Sequence, residues 1–327
     1  MRAIVLTEKG GPEVLRVQEV PEPVPGPDEV VVDVAATALN RADVLQRLGL
    51  YPQPGPAPAF EIPGLEVAGR VVERGERARA WAVGDEVMGI VSGGGYAERI
   101  AVHERQLVAV PSSVGLPDAA AIPEVFLTAW DALVVQGGLT SGRWALVHAG
   151  GSGVGTAAIQ VAKAIGAFVA TTASAGKLGA LRDLGADRVI DRAGQWDLSD
   201  EIDVVLDVVG GDYLDRNLAA LRTRGTIVQV GTMAGPPPSI NLGLLMMKRA
   251  ALIGTVLRAR PVEEKLALTQ RFGREIVPLF DPSGAGVREG APVLEPVIDS
   301  RYPLADAADA HRRLESNVTV GKILLTM

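Results

Sequence analysis

The chain contains no cysteine, which excludes disulfides, thiolate nucleophiles and cysteine-ligated zinc. Histidine is almost as scarce. His103, His148 and His311 are its three copies, and none forms an H-x-x-x-H pair. A metal site has little to build on, and none is expected. His148 closes an apolar strand and is expected to pack there. Positive charge is also short: 32 lysines and arginines face 39 acids, a net charge of -7. That argues against nucleic acid as a partner, which calls for a basic surface. Long apolar runs are missing as well. The most apolar longer stretch, 242–257, is broken by Lys248 and Arg249, so no membrane span is expected. The opening residues read as a strand and lack the long apolar core of a signal peptide, so the expected setting is cytoplasmic. No serine-hydrolase elbow, P-loop or close acid–base pair occurs. Chemistry carried by a cofactor fits that absence.

The chain is organised around residues 144–166. An apolar strand, Trp144 to His148, runs into the glycine-rich turn Ala149-Gly-Gly-Ser-Gly-Val-Gly155, and the turn opens a helix. Val154, Ala157, Ala158, Val161, Ala162 and Ile165 share one face of a 3.6-residue period, and Gly166 ends it. Strand, glycine turn and helix together form the unit that binds a dinucleotide: glycines let the backbone approach a pyrophosphate, and free N–H groups at the helix start attract its charge. The pattern is imperfect, because Ser152 stands where G-x-G-x-x-G has its second glycine.

At 327 residues the chain is long enough for two domains. Residues 1–120 read as β-rich, with strands at 3–6, 14–20, 29–36, 66–73, 86–91 and 96–102 and a short helix at 39–48. Residues 51–58 are too proline-rich for regular structure. Residues 119–132 read as a helix. From 143 onward strands (144–148, 167–172, 188–191, 203–208, 226–230, 251–256) alternate with helices (153–165, 176–184, 212–222), the signature of a doubly wound parallel sheet in an α/β fold. The interval between Asp191 and Asp203 is too short for a helical crossover, so the third crossover is expected to be a loop. A helix at 262–280 with a break near Gly273, a loop at 281–291, a strand at 293–298, a helix at 304–315 and a strand at 321–326 complete the pattern.

Cofactor choice is read at the end of the second parallel strand. NAD sites usually place an acid there for the ribose hydroxyls. Residues 171–177 hold no acid but carry Ser174 and Lys177, and Arg192 follows the third strand. A hydroxyl and cations suit a 2′-phosphate, so NADP(H) is the expected cofactor. The competing account makes Lys177 and Arg192 ordinary solvated surface cations.

Beyond these features the chain resembles zinc-independent medium-chain dehydrogenase/reductases of the quinone oxidoreductase and zeta-crystallin type, most similar to the tumour-suppressor-induced quinone oxidoreductase branch. The resemblance rests on Ala38-Leu-Asn-Arg-Ala-Asp43, Gly49-Leu-Tyr-Pro52, Pro63-Gly-Leu-Glu66, Ala120-Ala-Ile-Pro-Glu124, Leu127-Thr-Ala129, the block 148–160, and 317–322. Zinc-dependent relatives carry a histidine where this chain has Leu65. The resemblance implies a GroES-like β-barrel domain from 1–119, completed by 262–327, and a Rossmann domain from 120–261, with NADPH in the cleft between them. Asn40, Tyr51 and Thr128 would lie near the nicotinamide. Ser152, Gly153, Val154 and Gly155 would face the pyrophosphate, and Ser174 and Lys177 the 2′-phosphate. Gly231, Thr232, Met233, Thr255, Val256, Leu257, Asn317 and Lys322 would complete the site. The family often has tyrosine at the position of Arg192, and usually a longer third crossover.

The implied activity is NADPH-dependent reduction of a small-molecule quinone or a conjugated carbonyl such as an enone. The acceptor oxygen becomes negative and needs a donor: Tyr51, Asn40 or water. The proton would come from Tyr51 or solvent. Structural roles compete with these assignments. Asn40 suits a helix N-cap, Tyr51 suits packing on the proline loop, and Thr128 suits a bond to a helix carbonyl. Two other functions fit the same features: an enoyl-thioester or alkenal reductase, and a non-enzymatic NADPH-binding redox sensor. The apolar loops around 51–60 and 232–258 would set the acceptor. A homodimer is expected from the resemblance, with the strand at 251–256 pairing across a two-fold axis.

Overall fold

The computed structural model describes residues 1–51, 58–235, 239–282 and 292–327. Most of the proline-rich stretch 51–58, part of the loop 232–258 and most of the loop 281–291 fall outside the described residues. The chain divides into two compact units. The first takes Met1–Glu124 with stretches beginning at Arg258 and Glu295, and the second is built on Val125–Leu257. Against boundaries expected at 119/120 and 261/262, the chain divides at 124/125 and 257/258.

The first unit opens with an antiparallel pair, β1 (Arg2–Leu6) and β2 (Leu15–Glu19). Next come β3 (Glu29–Ala38), α1 (Arg41–Arg47), β4 (Glu66–Arg74), β5 (Glu86–Ile90), β6 (Arg99–His103) and β7 (Leu107–Ala109). Alternate valines of β3, Val30, Val32 and Val34, bury against Val67, Val71 and Val87. The period of two thus sets which face is core. β7 has three residues, too few for an alternation to show in sequence.

The second unit takes α2 (Pro123–Trp130) from Val125 onward, and the helix runs on as a π-helical stretch, Asp131–Gln136. It continues through β8 (Trp144–Val147), α3 (Gly153–Ala164), β9 (Phe168–Ala173), α4 (Leu178–Asp183), β10 (Arg188–Asp191), β11 (Ile202–Asp207), α5 (Tyr213–Ala220), β12 (Leu221–Gln229), α6 (Leu242–Lys248) and β13 (Ala251–Gly254). The six strands are parallel, in the order β10-β9-β8-β11-β12-β13. The order reverses between β8 and β11. A ligand of such a sheet sits at that switch point, beyond the carboxyl ends of the strands. Between β10 and β11 the chain crosses without a helix, and Leu198 of that loop, 2% exposed, packs into the core with Val205, Leu218 and Ile227. The helix expected at 212–222 stops at Ala220, because Leu221 already pairs with Ile202.

The tail returns to the first unit with α7 (Val262–Glu275), β14 (Ile298–Pro303), α8 (Ala307–Glu315) and β15 (Lys322–Thr326). β15 pairs with β3 and β14, which fixes the sheet order β14-β15-β3-β4-β5-β7, with β6 also on β3. Two expectations are corrected here. The helix does not break at Gly273; it ends after Glu275, ahead of Pro278, which lacks an N–H. Gly273 instead permits close packing, since a Cβ there would lie 2.9 Å from Val108 Cγ1. The strand expected at 293–298 begins at Ile298, where pairing with Lys322 starts.

Candidate functional site

In the second unit, β8 delivers the chain into the glycine turn through Ala149, held at φ 52°. Ser152 is the N-cap of α3, and its Oγ accepts the Gly155 N–H at 3.0 Å. This is why a serine replaces the second glycine: it satisfies a helix-end donor itself. Gly155 cannot change, because a Cβ there would lie 2.4 Å from the Ala149 carbonyl oxygen. The N–H groups of Gly153 and Val154 lie in the first turn, without an intrahelical acceptor, and suit an anion.

Lys177 lies over this turn. A Cβ on Gly151 would come within 2.6 Å of Lys177 Cδ, so the lysine stem crosses the glycine. Ser174 begins the tight turn 175–177 that carries the lysine. The Arg192 N–H bonds to the Ala173 carbonyl at 2.8 Å, which brings Arg192 beside Ser174. The adjacent acid, Asp191, turns back to accept the Ala193 N–H at 3.0 Å. Ser174, Lys177 and Arg192 are thus gathered around the ends of β9 and β10.

Residues 231–233 and 255–257 follow the carboxyl ends of β12 and β13. The Gln229 side chain donates to the Gly231 carbonyl at 2.6 Å, and the Thr255 N–H bonds to the Gln229 carbonyl at 3.0 Å. Met233 and Val256 are about half exposed, at 49% and 52%. Thr128 on α2 is buried, and its Oγ1 has no hydrogen-bond partner among the described residues, so the helix-carbonyl bond that competed for it is not made. His148 is wholly structural. Its Nε2–H donates to Asn217 at 2.6 Å, and its Nδ1 accepts from Thr172 at 2.8 Å. Burial lowers its pKa, which keeps the ring neutral between Trp196 and Tyr213.

The first unit holds the remaining residues. Asn40 occupies the N-cap of α1, where its N–H donates to the Asp43 carboxylate at 2.8 Å. Its side chain is committed elsewhere. Nδ2 donates to Glu66 Oε1 at 2.9 Å and to the Ala38 carbonyl at 3.2 Å, while Oδ1 accepts from Lys322 Nζ at 2.6 Å. The flipped amide would aim NH2 at an ammonium, so the orientation is fixed. Both Asn40 donors are therefore used, and what it has left to offer is an acceptor lone pair. In this arrangement Asn40 has no side-chain donor free for an oxyanion. Lys322 is equally committed: its three donors go to Asn40, the Leu39 carbonyl at 2.7 Å and buried Glu66 at 2.8 Å. Its place is behind Asn40, as a positioning residue. Asn317 sits just past α8 at φ 59°, accepts from Arg41 at 2.7 Å, and donates to the Glu315 carbonyl at 2.9 Å.

Tyr51 is half-buried, and its hydroxyl bonds to no described residue. Burial raises its pKa, so it stays a protonated donor at neutral pH. The guanidinium of Arg258 lies 5.1 Å from its ring centroid. Arg258 and its neighbour Lys265 drew no attention in the sequence, since nothing local marks a residue contributed from 207 positions away.

Behind α1, Asp43 also accepts from Tyr96 at 3.1 Å, and Tyr96 meets His311 Nε2 at 3.2 Å. Burial raises Asp43 to about 6, while burial and then Arg47 and Arg41 lower His311 to about 3. A histidine with a depressed native pKa costs stability on acidification. The unfolded chain takes up its proton near pH 6.5, whereas the native state waits until about 3. Asp43 acts oppositely: the native state protonates first, so stability is gained as pH falls through about 6 toward 3.8. His311→Asn removes the first effect only. Relative to wild type, the variant is expected to gain about 2 kcal/mol between pH 7 and 5, at about 1.4 kcal/mol per pKa unit, read by urea unfolding at both pH values.

Comparison with known proteins places this arrangement. Residues 26–112 match the alcohol dehydrogenase GroES-like domain, and residues 153–271 match the zinc-binding dehydrogenase family. The quinone oxidoreductase of Pseudomonas aeruginosa is 33% identical over 326 residues, covering 97% of this chain and 96% of that one. The chain belongs to the medium-chain dehydrogenase/reductase family. This family member is an oxidoreductase, with a GroES-like domain and a parallel Rossmann sheet. A mycobacterial protein solved with NADPH superposes with TM-score 0.82 at 30% identity, each chain fully covered. A segment of the polyketide synthase GfsB of Streptomyces halstedii, 5% of that protein, is 33% identical over 91% of this chain. Zinc does not fit the residues present. The position after Pro63-Gly64 is buried Leu65, and among the described residues no group of three or more His, Asp or Glu is placed to hold a metal ion. Nor is any described helix long and apolar enough to cross a membrane.

Proposed function

We propose that this oxidoreductase is an NADPH-dependent, zinc-independent reductase of quinones or related conjugated carbonyls. The observation that carries the reading is Lys177 crossing Gly151, a cation built onto the dinucleotide turn from a segment, 171–177, that holds no acid. When bound, NADPH supplies the hydride. Ser174, Lys177 and Arg192 hold the 2′-phosphate, and the N–H groups of Gly153 and Val154 meet the pyrophosphate. Thr128 Oγ1, buried and without a hydrogen-bond partner among the described residues, suits a carboxamide group, and Asn40 Oδ1 would act toward the cofactor as an acceptor. Residues 231–233 and 255–257 would complete the second unit's share of the cofactor contacts, and Asn317 and Lys322 belong to the first unit's share. Tyr51 donates to the acceptor oxygen as charge develops there.

The quinone oxidoreductase relatives support the acceptor class. The polyketide synthase segment favours a second reading, an enoyl-thioester reductase. Loss of reduced-nicotinamide absorbance with ortho- and para-quinones, enones and an enoyl-CoA separates the two. Quinone turnover with NADPH, and little with NADH, is expected. Turnover of the enoyl-CoA alone favours the second reading. Binding of NADPH without turnover of any acceptor leaves a sensor. A cytoplasmic homodimer belongs to the same proposal. Among the described residues β13 pairs only with β12, and it exposes Leu252 at 40%, so a two-fold partner would cover its edge.

A further inference from the structure

We propose that the acceptor carries a small anionic substituent, a carboxylate or sulfonate beside its conjugated carbonyl, and that Arg258 with Lys265 binds it. The inference rests on the reductase reading and adds the charge of the substrate. Arg258 is 5% exposed, yet it has no ion pair with a described residue. Its Nε–H donates to the Ser92 carbonyl at 3.0 Å, one terminal nitrogen to Gln46 Oε1 at 3.0 Å, and the other, at a long 3.5 Å, to the Tyr51 carbonyl. A guanidinium has five N–H groups, so one remains on each terminal nitrogen, the pair that grips an oxyanion.

Lys265 converges on the same place. Its Nζ donates to Ser92 Oγ at 3.0 Å and to the Arg258 carbonyl at 3.4 Å, also without a carboxylate among the described residues. Burial depresses the pKa of both cations, and Arg258 depresses that of Lys265 further. The acids within electrostatic reach are occupied. Glu61 takes both of its bonds from Lys9 at 2.7 Å and a third from Gln46 at 3.1 Å. Asp43 is held by Asn40, Tyr96 and the Gly64 N–H at 3.3 Å. A buried guanidinium without a counter-ion among the described residues is costly unless a ligand brings one. This one packs on the ring of Tyr51, the candidate donor, so an anion held there belongs to the molecule being reduced.

The test compares two acceptors, ortho-naphthoquinone and its ring sulfonate, on one enzyme preparation. Their kcat/KM ratio cancels losses from partial misfolding, and comparing variant with wild type cancels intrinsic reactivity. Arg258→Met is expected to lower the sulfonate-to-neutral ratio about tenfold or more, mainly through KM, as loss of a charge-assisted hydrogen bond does. Arg258→Lys should fall between, and Lys265→Met should lower the ratio severalfold. Raising salt should lower the wild-type ratio. In parallel, titration calorimetry of the NADP-loaded enzyme with naphthalenesulfonate reads binding without turnover. Arg258-dependent binding without any turnover would keep the anion site and defeat the reductase reading. Turnover with a ratio unmoved by Arg258→Met would overturn the proposal and leave the reductase standing. An unmoved ratio with weakened NADPH binding would also overturn it, assigning the cation to the cofactor. Absence of both binding and preference does the same.

Discussion

Lys177→Glu is expected to raise the KM for NADPH about a hundredfold while moving that for NADH only severalfold. A charge-assisted hydrogen bond is worth about 1.5–3 kcal/mol, and a tenfold change corresponds to about 1.4 kcal/mol. The substitution removes that attraction and sets a carboxylate against a phosphate of like charge. NADH lacks the phosphate, so it feels neither loss. The lysine stem already lies over Gly151, which reduces the side-chain ordering that cofactor binding has to impose. Arg192 is exposed, and Arg192→Ala should cost a fraction of this. Initial rates over a range of each cofactor give the answer. Equal increases for NADPH and NADH would show that Lys177 serves the turn rather than the phosphate.

This half of the candidate site was legible because its signals are local. The glycine turn, the 3.6-residue face of α3 and the missing acid near Ser174 all lie within a few dozen residues. The absent third crossover was equally readable, since chain length alone forbids a helix between β10 and β11. The half contributed by the first unit was not. That Asn40 has no donor to spare depends on Glu66 from β4 and Lys322 from β15, brought together by sheet pairing. One sequence signal existed. Lys322 opens a strand that goes on apolar and buried, and a lone charge there calls for a partner. Arg258 offered no such signal, because its role comes from a ring and two loops distant in the chain. The misplaced strand at 293–298 has the same origin: its start is set by register with β15, which local pattern does not encode.

Lys322→Met is expected to destabilise the first unit by about 3–5 kcal/mol, the usual cost of removing one partner of a buried ion pair. Glu66 is 0% exposed and would keep two hydrogen bonds, from Asn40 at 2.9 Å and the Glu124 N–H at 2.8 Å, but lose its cation. The double variant Lys322→Met with Glu66→Gln should recover much of the loss, because it removes the uncompensated charge. Its recovery will be incomplete for a geometric reason. Glutamine has one oxygen, and if that oxygen keeps the Glu124 N–H, its NH2 faces Nδ2 of Asn40, donor against donor. Asn40, released from Lys322, can relieve this by flipping its amide, but its oxygen then faces the Ala38 carbonyl. Urea unfolding of the three variants measures the stability terms, and the KM for NADPH reports the amide. If Asn40 offers its oxygen to the cofactor, the double variant should regain stability without regaining NADPH affinity. Recovery of both together would mean that the ion pair serves the fold alone and that the orientation of Asn40 does not matter to the site.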